Sequence, residues 1–390
     1  MGKIAIGQAG GPTAVINTSL AGFLDTIQGD IYGVLNGFQG LVEGDIVKIS
    51  EDMKRKIDQH RDVPGACLGA GRYQMNDDQK VKALRQLQKR DIHTLVFIGG
   101  DGTMSALCQL SQTARYIGYE LQVVGIPKTV DNDLAETDHS PGFASAARYV
   151  ALAVRDISKD LEAMRNFEQV RIIETMGRNV GWLAAASGLL KNHETDGPHA
   201  IYFPEQRLTA EGFLKNTEDL VQKFGFVSIV VSEGVTIQKR PSVEKAIVNG
   251  RKVLGGISTQ LAQLVHDELG LMARDELLGM NQRANQLASS SQDRREAYEV
   301  GKKAALFVEE GISKVMVAIN RTSQTDYQYR LSAVSLEKVV GGAERHLPNH
   351  YIKDLNRYYQ WLRPLVGFDL QSYPALIQRS DLYESKTFRL

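Results

Sequence analysis

Cysteine is nearly missing from this 390-residue chain: Cys67 and Cys108 are the only two. Neither sits in a CxxC pair or a Cys/His pattern, so the sequence offers no disulfide framework and no zinc site. Both read as buried free thiols of a reducing cytosol. Long apolar runs are missing too. No segment approaches the ~18 residues that a membrane span needs. The opening MGKIAIGQAGG carries too short an apolar run for a secretory leader. Nor is there an excess of charge: 46 basic and 46 acidic residues leave a formal net charge of zero. That balance argues against a nucleic-acid or membrane partner, although local basic clusters remain able to hold phosphate. Internal repeats and low-complexity tracts are also lacking. The expectation is a soluble, cytoplasmic protein.

What the chain does have is a rhythm. The runs KIAIG (3–7), DIYGVLNG (30–37), HTLVFIGG (93–100), LQVVGIP (121–127), QVRIIET (169–175), HAIYFPE (199–205), FVSIVVSEG (226–234) and KVMVAIN (314–320) read as strands. Between them Val81, Leu84 and Leu87 recur at helical spacing, as do Ala106, Leu107 and Leu110. Strands alternating with helices through short Gly-rich joints predict an α/β fold, a parallel sheet covered on both faces. The length and the 43% apolar content suit two domains. Residues 235–256 are the expected irregular excursion.

In such sheets ligands bind in the crevice outside the carboxyl ends of the strands, and the unusual residues collect there. QAGGPT follows the first strand, GGDGTM follows HTLVFI, PKTVDND follows LQVVGI, MGRNVG follows RIIET, and SEG follows FVSIVV. One polar exit is a turn; a repeated pattern points to one shared site. In GGDGTM, Gly100, Gly102 and Thr103 let backbone amides approach a phosphate at a helix start, and Asp101 is placed to hold a magnesium between phosphates. The same residues also read as a tight turn capped by Thr103. Gly10 and Gly11, with Pro12 or Thr13 opening a helix, allow the same two readings. Arg178 after Met176-Gly177 can grip a phosphate bidentately. Alone it reads as a surface arginine, as do Arg274 and Arg283 upstream of and within LGMNQRANQLA. PKTVDND packs Lys128, Thr129, Asp131, Asn132 and Asp133 into one exit, either as a solvated loop or as base, hydroxyl binder and phosphate clamp.

Taken together, GGPTAVIN, NGFQGLVEGD, LGAGRY, GGDGT, PKTVDND, PGFASA, ETMGRNVGWLA, VVSEG and QR resemble the phosphofructokinase family over essentially the whole chain. GGDGT is shared with NAD kinases and diacylglycerol kinases, which lack PKTVDND and MGR. The C-terminal RYYQWLRPLVGF resembles the longer branch, which includes pyrophosphate-dependent members. The resemblance implies two Rossmann-like doubly wound domains with the active site in the cleft between them. Residues 1–140 plus about 255–310 would bind the phosphoryl donor, and 141–254 plus about 311–390 the sugar phosphate. It implies phosphoryl transfer to the 1-hydroxyl of fructose 6-phosphate, with Mg²⁺ as cofactor. Asp131 is then the base, with Thr129, Lys128 and Arg178 as its catalytic partners. Gly11, Arg72, Tyr73, Gly100, Asp101, Gly102 and Thr103 face the donor, and Asp101 holds the metal. Thr129, Asp131, Asp133, Met176, Gly177, Arg178, Glu233, Arg274 and Arg283 face the sugar phosphate. The counterpart of Arg274 reaches in from a neighbouring subunit in the family, which implies a homodimer or homotetramer.

The chain departs from the compact bacterial members at several places. It has Gln169 where they have an arginine, with Arg171 two residues on. It has Met280 where they have a histidine, so Lys353 or Arg357 is a candidate replacement. It has Ala21 and Asp25 where their effector site has arginines. On the donor two positions pull apart. Gly102 stands where pyrophosphate-dependent members have an aspartate, which leaves room for ATP, while Lys128 matches the pyrophosphate type. The sequence expectation is therefore ATP, with pyrophosphate as the alternative. A non-catalytic sugar-phosphate-binding subunit is a remote alternative, because Asp131, Asp133, Asp101 and Arg178 are all present.

Overall fold

The computed structural model describes residues 2–238, 244–248, 251–323 and 326–374. In chain order the strands are β1 (Lys3–Gln8), β2 (Ile31–Val34), β3 (Ile46–Lys48), β4 (Ile92–Gly99), β5 (Gln122–Pro127), β6 (Val170–Thr175), β7 (Ala200–Tyr202), β8 (Val227–Ser232), β9 (Glu244–Val248), β10 (Arg251–Leu254), β11 (Ala273–Leu277), β12 (Val315–Ser323) and β13 (Gln328–Ser335). They form a seven-stranded sheet, β13-β12-β5-β4-β1-β2-β3, and a four-stranded sheet, β11-β6-β8-β7. In the first, β2, β1, β4, β5 and β12 run parallel, and the edges β3 and β13 are antiparallel. The second is parallel throughout.

Parallel strands must be covered on both sides, and these are. One face of the seven-stranded sheet packs Ile6, Val96 and Ile126 under Leu20 and Phe23 of helix Ile16–Thr26 and Val300 and Ala304 of helix Ser291–Glu309. The other packs Ala5, Leu95 and Val123 under Leu84, Leu107 and Leu336. The four-stranded sheet is sandwiched alike. Helix Phe143–Met164 and helix Leu355–Val366 share a core with Ile173 and Val230, and helix Ile257–Leu269 packs on Ile172 and Ile229. This is the doubly wound two-sheet α/β architecture that the sequence predicts.

The sheets divide the chain differently from the expected boundaries. Within 255–310, helix Ile257–Leu269 and β11 join the four-stranded sheet, and only the later helix Ser291–Glu309 packs on the seven-stranded one. Past residue 311, β12 and β13 extend the seven-stranded sheet rather than the other. The reason is that sheet membership is a tertiary choice. KVMVAIN is an apolar run that either sheet could bury, and ARDEL of β11 is too polar to announce a strand. The expected excursion at 235–256 contains the antiparallel hairpin β9–β10 in its described part. Helix Ile16–Thr26 starts at Ile16, not at Pro12 or Thr13.

Candidate active site

The carboxyl ends of β1, β4 and β5 bring three of the unusual strand exits together. Lys128 leaves β5 and turns inward. Its side chain is buried, and Nζ donates to the Gly11 carbonyl at 2.8 Å. Burial, reinforced by the facing Arg283 and Arg72 and opposed by Asp131 and Asp133, pulls its pKa down to about 8. Thr129 Oγ1 accepts from the Asp131 N–H at 3.1 Å. Asn132 takes a left-handed backbone, φ 59°, and its Oδ1 accepts from the Ser140 N–H at 3.2 Å. Asn is one of the few residues that adopts this conformation readily. This tight turn brings Asp131 and Asp133 within electrostatic reach of each other. Burial, then repulsion from Asp131, pushes the Asp133 carboxyl up to about 7. Its Oδ1 is buried with no hydrogen-bond partner among the described residues.

Arginines surround these carboxylates. Arg72 feels Arg283 and Arg178 on one side and Asp131 and Glu233 on the other. Partial desolvation and the facing cations depress its pKa. Desolvation likewise lowers that of Arg283, against the pull of Asp131. The Arg283 guanidinium stands against Gly11, where a Cβ would collide with it. Arg283, expected to face the sugar phosphate, thus stands beside Gly11, expected to face the donor. Lys128, Arg72, Arg178 and Arg283 place four cations here, which suits a site for anionic oxygens.

The opposing wall comes from the four-stranded sheet. Gly177 follows β6 with φ 130°, and a Cβ there would strike the Val180 carbonyl. Ser232 Oγ donates to the Gly177 carbonyl at 2.5 Å, and the Met176 N–H donates to Gln282 Oε1 at 3.0 Å. Glu233 accepts from the Gly177 N–H, and burial raises its carboxyl pKa. Gln282 and Ser232 are supports that the sequence reading did not single out. The signal for Gln282 was its place beside Arg283; its burial was invisible.

At the exit of β4, Gly100 is the N-cap of helix Asp101–Tyr116, with no side-chain cap. Thr103 therefore does not cap the helix; it is buried in the first turn, its N–H bonded to the Gly100 carbonyl at 2.9 Å. A Cβ at Gly102 would meet nothing within 4 Å. Tyr73 accepts a hydrogen bond from Gln79 Nε2 at 2.7 Å. Among the described residues no cluster of three or more His, Cys, Asp or Glu could hold a metal. Magnesium needs none, since it is bound through one or two carboxylates plus substrate phosphates. Asp101 at the helix start fits that mode.

Other expected residues lie elsewhere. Arg274 is on the edge strand β11, half exposed, 3.4 Å from Glu168 and stacked over Phe167. Arg171 is buried, with both Glu168 oxygens and Glu276 as partners. Met280 is 60% exposed. Of the candidate replacements for its missing charge, Arg357 pairs with Asp354 at 3.2 Å, and Lys353 is exposed on helix Asn349–Lys353. Ala21 is buried, and Asp25 accepts from the Tyr298 hydroxyl at 2.9 Å.

Paired carboxylates at the end of β5 and arginines from both sheets thus meet at one place in a doubly wound fold. Comparison with known proteins makes this specific. The phosphofructokinase family model matches residues 3–308. The chain is 47% identical over 367 residues to a sulfofructose kinase of Alkalicoccus urumqiensis, covering 93% of this chain and 95% of that protein. It is 34% identical over 387 residues to a pyrophosphate–fructose 6-phosphate 1-phosphotransferase of Methylococcus capsulatus, covering 94% and 92%. Among solved structures, a pyrophosphate-dependent phosphofructokinase of Marinobacter aquaeolei superposes with a TM-score of 0.84 at 30% identity, covering 97% and 94%. The chain belongs to the phosphofructokinase family.

Proposed function

We propose that this chain transfers a phosphoryl group to the 1-hydroxyl of a fructose carrying an anionic group at C6. One observation carries the reading: Asp131 and Asp133 stand at the end of β5, ringed by Lys128, Arg72, Arg178 and Arg283. Phosphoryl transfer needs an aligned hydroxyl, a carboxylate to take its proton, and cations around the equatorial oxygens. Asp131 takes the proton. Lys128 and Arg72 offset charge on the moving phosphoryl group. Glu233 and the Met176–Arg178 loop hold the sugar. Magnesium, held by Asp101 and the donor phosphates, supplies further neutralisation when bound.

The relatives weigh on both substrates. Pyrophosphate-dependent enzymes named for fructose 6-phosphate support that acceptor and that donor, and they support pyrophosphate better than the ATP expected from the sequence. ATP is the second donor reading, favoured by the open space at Gly102. A sulfonated fructose is the second acceptor reading. It is favoured by the 47% identity to a sulfofructose kinase and by the uncharged Met280, because a sulfonate brings less negative charge than a phosphate dianion. We also place the seven-stranded sheet on the donor side and the four-stranded sheet on the acceptor side. We also propose assembly of at least two copies, on the resemblance of Arg274 to a residue that reaches into a neighbouring subunit in the family. No helix among the described residues is long and apolar enough to cross a membrane, in keeping with a cytoplasmic enzyme.

The test is initial rates with magnesium for each pairing of ATP or pyrophosphate with fructose 6-phosphate or sulfofructose. Turnover with pyrophosphate alone upholds the leading donor. Turnover with ATP alone makes Gly102 the deciding residue. No turnover in any pairing overturns the reading.

A further inference from the structure

The segment Glu344–Leu347 was unassigned by the sequence reading, yet it lies between the two loops that carry the chemistry. Toward the base loop, the Arg345 N–H donates to the Asp133 carbonyl at 2.9 Å, and Nη1 of its guanidinium reaches the Asn132 carbonyl at 3.4 Å. Toward the acceptor loop, both Glu344 oxygens accept from Asn179 Nδ2, at 3.1 and 2.9 Å. His346 Nδ1 lies 3.1 Å from the Asn179 carbonyl. The Leu347 N–H donates at 2.8 Å to Glu205 Oε1, which also accepts from the Gly181 N–H at 2.9 Å. The segment is braced from behind. The Arg345 guanidinium lies 4.1 Å from the Trp182 ring centroid and 5.8 Å from that of Trp361. Trp182 Nε1 returns a hydrogen bond to the Arg345 carbonyl at 2.8 Å.

The base loop belongs to the seven-stranded sheet and the Met176–Gly181 loop to the four-stranded one. A reaction that joins a base on one to an acceptor on the other depends on their separation. We infer that Glu344–Leu347 is a clasp that sets this separation, with Arg345 as the positioning residue for phosphoryl transfer. This rests on the phosphotransferase reading above. Arg345 touches only the backbone of the base loop, so it acts through Asp131 and Asp133 rather than on substrate. Its planar guanidinium is what allows it to stack on indole while donating in plane, and lysine reproduces only the charge.

Two measurements on the full chain test it, one independent of turnover. Hydrogen exchange of the amides in 128–134 and 177–182 is compared between wild type and Arg345→Met. Exchange at least ~10-fold faster in both loops is expected, as for local opening of a segment that has lost its tie; unchanged exchange overturns the clasp whatever the enzyme proves to act on. Steady-state kinetics on the active substrate pair are expected to show kcat about 10²-fold lower with acceptor KM within about 3-fold, the signature of a misplaced base with acceptor binding intact. Arg345→Lys should recover part of the loss. A raised KM with kcat unchanged overturns the positioning role. If Arg345→Met does not fold, Glu344→Ala decides. Glu344 is exposed, and its loss should speed exchange in 177–182 and lower kcat about 10-fold; no change in either overturns the proposal. Wild type inactive in every pairing counts against the proposed function, while the exchange result still decides the clasp.

Discussion

Two stretches of one loop invite comparison: residues 128–133, which carry the candidate base, and residues 137–142, a few positions on. Both bury ionisable groups, and they treat them in opposite ways. In the second stretch every charge is answered. His139 sits fully buried with Nδ1 2.9 Å from Asp138 and Nε2 2.7 Å from Glu296. Asp138 also receives Arg321 Nε at 3.3 Å and Trp361 Nε1 at 3.2 Å. Glu296 is bonded by Gln292 and Tyr327. Nearby, Asp293 accepts from the Gly142 and Ser145 N–H groups and from Ser145 Oγ. Despite burial, the two flanking carboxylates hold His139 charged, with a pKa raised to about 9. In the first stretch Asp133 has an oxygen with no partner among the described residues and is pushed up to about 7, while Lys128 is brought down to about 8. A buried charge with its partners complete is architecture. A buried charge left partly unanswered is held in readiness for a ligand or a proton.

The comparison can be broken at several points. The largest effect is expected from Asp131→Ser, which should lower turnover by ~10²–10⁴, the usual worth of a general base, while acceptor binding by calorimetry stays near wild type. Near-normal turnover would remove Asp131 as the base. Next, His139→Ala removes the shared cation between buried Glu296 and partly buried Asp138, each of which keeps two other partners, and should cost about 3 kcal/mol in denaturant unfolding. Its sign with pH follows from the raised pKa. The stabilisation from His139 is complete below about 6.5 and is lost as pH rises through about 9, so the penalty should shrink at high pH.

The reactive stretch should behave in the opposite sense. A carboxyl raised from 3.8 to about 7 favours the fold at acid pH and weakens it as pH passes 7. Asp133→Asn should therefore raise the melting temperature at pH 8 and leave it nearly unchanged at pH 4; equal shifts at both would refute the assignment. The kcat/KM profile of the free enzyme should be a narrow bell, with an acid limb near 7 from Asp133 and an alkaline limb near 8 from Lys128. A flat plateau from pH 6 to 9 would exclude both. The smallest effect is on the saturated side: Ser145→Ala leaves Asp293 its two backbone donors and should cost about 1 kcal/mol, with catalysis intact.

Much of this was legible beforehand where local chemistry decides it. The strands read from apolar runs recur as β1, β2, β4 to β8 and β12, within a few residues at their ends. β3, β11 and β13 were missed, as was the hairpin, because edge strands alternate or are polar and resemble loops. Lys128, Asp131 and Asp133 stood out as a cluster, and the family resemblance rather than the residues alone separated a site from a solvated loop. Arg345 did not, since nothing in GGAERHLP distinguishes a clasp from a surface loop.

The sequence by itself determined the α/β class, because strand and helix spacing are local properties, and its motifs carried the resemblance to the phosphofructokinase family. Only the tertiary structure decided which sheet each late element joins, that Arg283 stands over Gly11, and that Glu344–Leu347 ties the two loops together. Those facts depend on packing between segments more than two hundred residues apart, such as Arg345 with Asn132 and Arg283 with Gly11. Contacts at that distance are chosen by which apolar faces bury each other and leave no periodic mark in the chain.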